Sequence, residues 1–323
     1  MQQVDNPDTF SPMTAQHSCR VWAPATVANL NVGFDTLGCA LAAPGEFMDF
    51  RRVETPGVHL VNGPGTELPL DVDANVAGKA AASLLTALGS PFGVEITVTK
   101  TIKPGSGIGS SAASAVAAVV GIDALVEAGM RKDELLPFAL DGEAVASGAR
   151  HADNVAPALM GGLTLIDPSG NVCALPVPSS WHLVVLHPQV VIKTAESRAV
   201  LPSEVALGDA VRQAAWLGRF VHDLHSGDEL EAMYALEDLL VGPHRGPLMP
   251  HWQSCQEAAR SAGARAGGIS GSGPSSFWVC RSESEAADVA ASLQSVMSAH
   301  GMDHHVHSTT ISTQGAHVVP QSH

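Results

Sequence analysis

The sequence predicts a two-domain α+β protein, and three observations carry that expectation. Its 323 residues exceed what one hydrophobic core usually organises, so two units with a cleft between them are expected. The first half sets a strand, a glycine-rich loop and a long apolar helix in succession. The second half reads strand, helices, strand, turn, strand, helix, strand, a βαββαβ order that suggests a split α+β sandwich. The change of domain is placed near Ile166, giving units at 18–166 and 167–312, with the last dozen residues read as a tail.

Taken in order, the chain is β-rich from Ser18 to about Phe50, interrupted by a Pro-, Gly- and Asn-punctuated turn region at 23–38. Residues 74–88 have helical spacing that ends at Gly89. Residues 94–102 alternate as a strand with Val94, Ile96 and Val98 on one face, leading into the glycine loop. The following stretch, 110–128, is dominated by Ala, Val, Ile and Leu, which suits a helix buried on most sides and stopped by Gly129. A second helix over 133–148 leads to His151-Ala152-Asp153-Asn154, a short helix and a Gly161-Gly162 break. Beyond it lie a strand at 181–187, helices at 203–225, 228–240 and 248–262, a strand-turn-strand, a helix at 283–300 and a strand at 304–311. No repeat of 20 to 50 residues is visible.

Composition narrows the function. Hydrophobic residues make up 45% and charged residues 15%, which describes a packed globular chain. A formal net charge of -15 opposes a nucleic-acid surface, since phosphate backbones require clustered Lys and Arg. An anionic ligand must therefore be met by a few placed cations, backbone N–H groups and a metal. Five widely spaced cysteines without a CxxC pair fit reduced thiols in a cytoplasm. The first 18 residues have no apolar core flanked by basic residues, and no 18-residue apolar run occurs, so a soluble, cytoplasmic protein with a frayed leader and no membrane partner is expected.

The most informative motif is Pro104-Gly105-Ser106-Gly107-Ile108-Gly109-Ser110-Ser111-Ala112-Ala113-Ser114. Its glycines permit positive φ and close backbone approach, and the helix that begins at Ser110 offers unpaired N–H groups with the positive end of a dipole. An oligophosphate fits there, although an ordinary strand-to-helix turn also uses glycine. The loop has neither the Lys of GxxxxGK[ST] nor GxGxxG spacing, which removes the P-loop and dinucleotide readings. Without a loop lysine, neutralisation falls to a magnesium ion, for which Ser110 and a downstream carboxylate such as Glu143 are the natural oxygens. From spacing alone Glu143 reads more readily as a surface carboxylate than as a metal ligand.

Other features are more ambiguous. Asn29 and Asp35 stand among apolar neighbours in 23–38, where such groups either close turns internally or grip a ligand. Arg198 and Arg245 follow Lys193-Thr194 and Gly242-Pro243-His244 in loop-like settings; a pair in a cleft would fork a carboxylate, exposed arginines are commoner, and spacing does not choose between them. Gly267-Gly268-Ile269-Ser270-Gly271-Ser272-Gly273-Pro274 does not satisfy GxSxG and reads as a tight hairpin facing the cleft. His304, His305 and His307 have no Cys partners or HExxH spacing and are taken as solvated strand residues.

These motifs, in this order, resemble the GHMP kinases, the superfamily of galactokinase, homoserine kinase, mevalonate kinase and phosphomevalonate kinase, and within it most nearly the homoserine kinases. The likeness covers nearly all of the chain from about Ser18 to Ile311 and is most specific in 23–38, 104–114, 151–158 with Gly161-Gly162, and 268–274. It implies an N-terminal ribosomal-protein-S5-like domain and a C-terminal ferredoxin-like α/β sandwich. It also implies that 104–114 wraps the phosphates of ATP, that Ser110 and Glu143 hold Mg2+, and that Asn29, Asp35, Asn154, Thr194, Arg198 and Arg245 line an L-homoserine pocket. The two arginines would grip the carboxylate. Asp35 would accept from the amino or hydroxyl group, and Asn154 would orient the reacting group, the two forming the catalytic pair. The product would be O-phospho-L-homoserine, in threonine biosynthesis, and the resemblance admits a homodimer.

Two departures and one absence qualify the likeness. Val27-Ala28-Asn29-Leu30-Asn31 stands for the commoner Ser-Ala-Asn-Leu-Gly, and Ile108 replaces a Leu; both keep the polar groups. Sugar- and mevalonate-type relatives pair a Lys or Arg in the first motif with a catalytic Asp, whereas no basic residue follows Arg20 there. Asp153 accordingly receives no firm role, because phosphoryl transfer rests mainly on positioning and charge stabilisation. A non-catalytic relative would have lost a metal oxygen or a loop glycine, and Ser110, Glu143 and all three glycines are present.

Overall fold

A computed structural model describes residues 17–89 and 92–320. The leader expected at the N-terminus falls, up to residue 16, outside the described residues.

Two long strands, β1 (Ser18–Ala28) and β2 (Leu37–Val53), pair antiparallel, with a register shift between Pro24 and Thr26. Next come β3 (Val58–Asn62), α1 (Val76–Ala87) and β4 (Gly93–Thr99), the last pairing antiparallel with β2 and parallel with β3. Helix α1 starts where the Asn75 side chain accepts from the Gly78 N–H, an N-cap that supplies one of the orphan donors of the first turn. Then follow α2 (Ser110–Val126), α3 (Lys132–Ser147) and α4 (Ala152–Met160), with β5 (Leu163–Ile166) and β6 (Val172–Leu175) completing this half.

Helix α2 is buried nearly all round, as its small apolar composition predicts. A Cβ at Gly121 would stand 2.4 Å from the Phe50 ring, so the helix lies close against the sheet. Helix α3 packs on α1 through Gly142, where a Cβ would come 2.5 Å from the Val76 carbonyl. Glu143 follows directly, which sets its carboxylate beside the N-terminal turn of α2.

The second half runs β7 (His182–Pro188), α5 (Thr194–Ala199), α6 (Leu207–Ser226), α7 (Glu229–Tyr234), α8 (Gly242–Arg245), α9 (Trp252–Ser261), β8 (Ala266–Ile269), β9 (Ser276–Cys280), α10 (Glu283–Ala299) and β10 (His304–Thr309). Its sheet has the order β10-β7-β9-β8, which is the ferredoxin-like arrangement. Helices α9 and α10 cover one face around Trp278, Val184 and Leu293. A separate core of Val27, Leu37, Trp181, Leu183, Phe220 and Phe277 joins the two halves and fixes one against the other.

Several expectations require correction. A last strand, β11 (His317–Val319), pairs with β1, so the segment read as a tail closes an edge of the first sheet. Strand β6 pairs with β5 in that same sheet, so the sheet continues past Ile166 and the change of layer falls between Leu175 and His182. The helix read over 228–240 ends at Tyr234. There the Asp238 carboxylate takes the N–H groups of Leu240, Val241 and Gly242 in a turn, a local bond that competes with helix. His304, His305 and His307 do lie on β10, but His187 on the facing strand is buried, with its ring 6.2 Å from that of His305. Burial pushes the His187 pKa down to about 4, with the neighbouring imidazoles adding to the shift.

Candidate active site

The cleft between the halves holds a cavity of about 560 Å³, and the wall formed by the glycine loop is made by backbone. Gly105, Gly107 and Gly109 take left-handed φ values of 75°, 79° and 70°, conformations that strain other residues. Gly109 is also the N-cap of α2, and a Cβ there would stand 2.0 Å from the Thr26 hydroxyl. The helix N-terminus therefore opens onto the cleft, as an anion site needs. Pro104, Gly105, Ser106, Gly107, Gly109, Ser110, Ser111 and Ser114 line the cavity. Ile108, Ala112 and Ala113, expected in the same nucleotide wall, are instead buried in the cores, because one side of the loop and helix must pack.

Beneath this loop lies a cation that the loop's own sequence lacks. The Lys100 ammonium lies 2.7 Å from Glu46, 2.8 Å from the Ser110 carbonyl and 3.0 Å from the Ser114 hydroxyl, and it lines the cavity. Burial pushes the Lys100 pKa down and that of Glu46 up, each against the pull of the other's charge. Because Glu46 already matches it, Lys100 adds shape to the floor without adding net charge. The signal for it in the sequence is a lone lysine at the end of a strand that feeds a phosphate loop.

Glu143 and Asp153 are the buried carboxyls of this wall. Burial is the main cause that lifts each to about 7. A hydrogen bond from Ser111 opposes the rise at Glu143, and Arg198 opposes it at Asp153. The Glu143 Oε2 is buried without a hydrogen-bond partner, an arrangement that fits an oxygen able to hold a cation. Ser111 is the serine beside it, whereas the Ser110 hydroxyl donates to the Ile102 carbonyl at 2.8 Å. Among the described residues no three His, Cys, Asp or Glu side chains form a metal cluster, so an ion here would need oxygens of the nucleotide as well.

The opposite wall is made by side chains. Arg198, read as a loop residue, lies on α5, and its Nη2 donates to Asp35 at 2.7 Å. The same group approaches His151 Nε2 at 3.4 Å. Arg245, also read as lying in a loop, ends α8; it is buried, donating to the carbonyls of Ser197 at 3.1 Å and Gly271 at 2.9 Å. Both guanidinium groups lie over the Phe34 ring, at 5.4 and 5.1 Å from its centroid. Thr194 opens α5 and lines the cavity. His151 and Phe34 escaped the sequence reading as site residues; His151 stood inside a recognised motif, while nothing singled out Phe34.

Two asparagines resolve differently. The Asn29 side chain lines the cavity but is taken up internally, its Oδ1 accepting from the Asp35 N–H at 3.0 Å and its Nδ2 donating to the Gly271 carbonyl at 3.1 Å. It sits in a run of left-handed residues, Asn29, Leu30 and Asn31, that aims Asp35 at the cleft. The Asn154 Oδ1 accepts from Thr26 at 2.6 Å, which leaves its Nδ2 as the group able to donate into the cavity. The hairpin between β8 and β9 faces the cleft as expected, with Gly271 and Ser272 on the cavity wall.

A backbone phosphate cradle set across a cleft from an acid and two arginines, on a shared core between a mixed sheet and a ferredoxin-like unit, defines a kinase of small molecules. The family model of the GHMP kinases N terminal domain matches residues 75–162, and that of the GHMP kinases C terminal matches 209–299. The chain belongs to the GHMP kinases. It is 38% identical to the homoserine kinase of Xylella fastidiosa over 99% of this chain and the whole of that one. With the homoserine kinase of the archaeon Natronomonas pharaonis it shares 36% identity over 90% of its length and 97% of the relative's. The crystal structure of homoserine kinase from Cytophaga hutchinsonii superposes with a TM-score of 0.91 at 38% identity, over 96% of this chain and 99% of that one. Leishmania major mevalonate kinase, at 16% identity and a TM-score of 0.70, shares the fold alone.

Proposed function

We infer that this GHMP kinase transfers the γ-phosphate of ATP to the hydroxyl of L-homoserine. The observation that carries this reading is the Asp35–Arg198 contact at 2.7 Å, flanked by Arg245, on the wall facing the phosphate loop. An acid and a base that hold each other in the open cleft are complementary to a zwitterion. A substrate ammonium takes over Asp35, and its carboxylate takes over the guanidinium groups in a forked contact. A sugar or mevalonate would match only part of this charge pattern and would leave a half-buried ion uncompensated. The resemblance of the whole chain to homoserine kinases supports the same acceptor.

The carboxylate and amine fix one end of the substrate, so its hydroxyl extends towards Asn154 and the loop. The hydroxyl oxygen attacks the γ-phosphorus, the bond to the β–γ bridging oxygen breaks, and the hydroxyl proton is released. Positioning supplies most of the rate in such transfers. The Asn154 Nδ2, its amide held by Thr26, orients the attacking oxygen. N–H groups of Gly107 and Gly109 and the α2 N-terminus receive charge on the phosphates. Glu143 and Ser111, with Ser110 adjoining, would hold Mg2+, which when bound neutralises phosphate charge. The orphaned Oε2 of Glu143 fits this assignment.

An acceptor panel tests the reading. With Mg-ATP, release of ADP is expected to be fastest with L-homoserine, and at least about 100-fold slower in kcat/KM with R-mevalonate or galactose. A preference for either of those would sink the assignment.

A further inference from the structure

Residues 270–275, between β8 and β9, form a hairpin that touches both ends of the cleft. On the phosphate side the Ser275 hydroxyl donates to the Ser106 carbonyl at 2.6 Å, and the Ser270 hydroxyl donates to the Gly107 carbonyl at 2.8 Å. Both serines are fully buried. The fit leaves no spare room, since a Cβ at Gly107 would stand 2.6 Å from the Gly273 carbonyl. The next carbonyl, of Ile108, accepts from the Thr26 N–H at 3.1 Å. Across a trans peptide the C=O and the following N–H point in opposite directions. Holding these three carbonyls outward therefore turns the N–H groups of Gly107, Ile108 and Gly109 the other way, and both glycines line the cleft.

On the amino-acid side the same hairpin offers its carbonyls. That of Gly271 accepts from Arg245 at 2.9 Å and from Asn29 at 3.1 Å. That of Ser272 accepts from the Ser197 hydroxyl at 2.9 Å, and the Ser197 carbonyl in turn accepts from Arg245. Ser197 adjoins Arg198 on α5 but does not itself line the cavity. On the six residues 270–275 the two sides thus meet: the hydroxyls of Ser270 and Ser275 and the Ser275 N–H hold the loop carbonyls, and the carbonyls of Gly271 and Ser272 take Arg245, Asn29 and Ser197.

We propose that this hairpin couples the two substrates, so that an amino acid bound by the arginines tightens the site for the nucleotide, with Ser197, Ser270 and Ser275 as positioning residues. The proposal rests on the reading that Arg198 and Arg245 bind the acceptor's carboxylate. A carboxylate that fixes those arginines also fixes Gly271 and Ser272, and through them the serines that orient the loop. The ordering imposed by the first ligand need not be imposed again by the second, which makes the coupling positive and reciprocal.

Titration calorimetry of the full chain with a non-hydrolysable ATP analogue and Mg2+, without and with saturating L-homoserine, measures the coupling. The wild-type protein is expected to bind the analogue about 10-fold more tightly with homoserine present, within the usual range of such couplings. Ser197→Ala is expected to keep each separately measured Kd within about 3-fold and to reduce the coupling factor below about 2-fold. Ser270→Ala should weaken the analogue even without homoserine. If Ser270→Ala does not fold, Ser197→Ala decides alone, because it removes only a hydroxyl outside both ligand sites. A wild-type factor near 1, or a Ser197→Ala protein with the full wild-type factor, overturns the coupling while leaving the acceptor reading intact. Absence of homoserine binding in the wild-type protein would overturn the acceptor reading and the coupling with it.

Discussion

The proposed phosphate end of the cleft is built from backbone, whereas the proposed amino-acid end is built from side chains drawn from four separate segments. At the first end, Gly105, Gly107 and Gly109 alternate in left-handed geometry and the start of α2 completes the cradle. At the second, Arg198 meets Asp35 and His151 from 163 and 47 residues away in sequence, and Arg245 shares the Phe34 ring with it. A backbone site accepts any ligand of the right charge and shape. A side-chain site can be altered one residue at a time, and selects the acceptor. The hairpin at 270–275 is where the two constructions are joined.

The sharpest way to break the comparison is Gly109→Ala. It adds a Cβ where φ is 70° and the Thr26 hydroxyl would lie 2.0 Å away, so the loop must move as a unit. We expect kcat/KM for ATP to fall about 1,000-fold or more, the size of losing several positioned donors. A melting curve separates this from unfolding, and near-normal turnover would refute the backbone reading.

Arg198→Ala attacks the other end. Losing a charged, forked contact of this kind is expected to raise the homoserine KM about 100-fold while changing the KM for ATP less than about 3-fold. Arg198→Lys should recover only part of this, because an ammonium cannot reproduce the fork. Equal damage to both KM values would mean that the two ends are not separable.

The smallest expected effect is on stability, at Glu143, and its size depends on pH. Its pKa is lifted to about 7 in the folded chain from an ordinary 4.5, so between these values the folded protein holds a proton that the unfolded chain has released. The stability this contributes is fully present below pH 4.5 and is lost as pH rises through 7. Metal-free Glu143→Gln is therefore expected to be more stable than the wild-type protein by about 2 kcal/mol at pH 8, and to differ little at pH 4.5. Its turnover with Mg-ATP should nevertheless be severely reduced. Thermal unfolding in chelator at the two pH values, beside an activity assay, checks both halves of the prediction.

The same contrast explains what the sequence discloses. Glycine alternation followed by Ser110-Ser111 marks the phosphate end, because left-handed φ and a helix start leave local traces in composition. The buried helix α2 and the βαββαβ order of the second half are legible for the same reason, being local periodicities. The amino-acid end leaves almost none. Arg198 and Arg245 sit on helices of six and four residues, too short to show a period, and so read as loops. Spacing left Asn29 open between a ligand and a turn; its bond from the Asp35 N–H is local, but its bond to the Gly271 carbonyl depends on a partner 242 residues away. Lys100, and Ser111 in place of Ser110 as the serine beside Glu143, become visible only once the floor of the cleft is located. Strand β11 is likewise made by its partner β1, since three residues of His-Val-Val carry no strand signal of their own.

The central claim is that the facing charges of Asp35 and the arginines select a zwitterionic acceptor. Its most direct test is kcat/KM for L-homoserine against L-homoserine methyl ester, which keeps the hydroxyl and amine but abolishes the carboxylate charge. A loss of about 100-fold or more is expected for the ester, with phosphate transferred to the same hydroxyl. Equal kcat/KM for the two acceptors would contradict it.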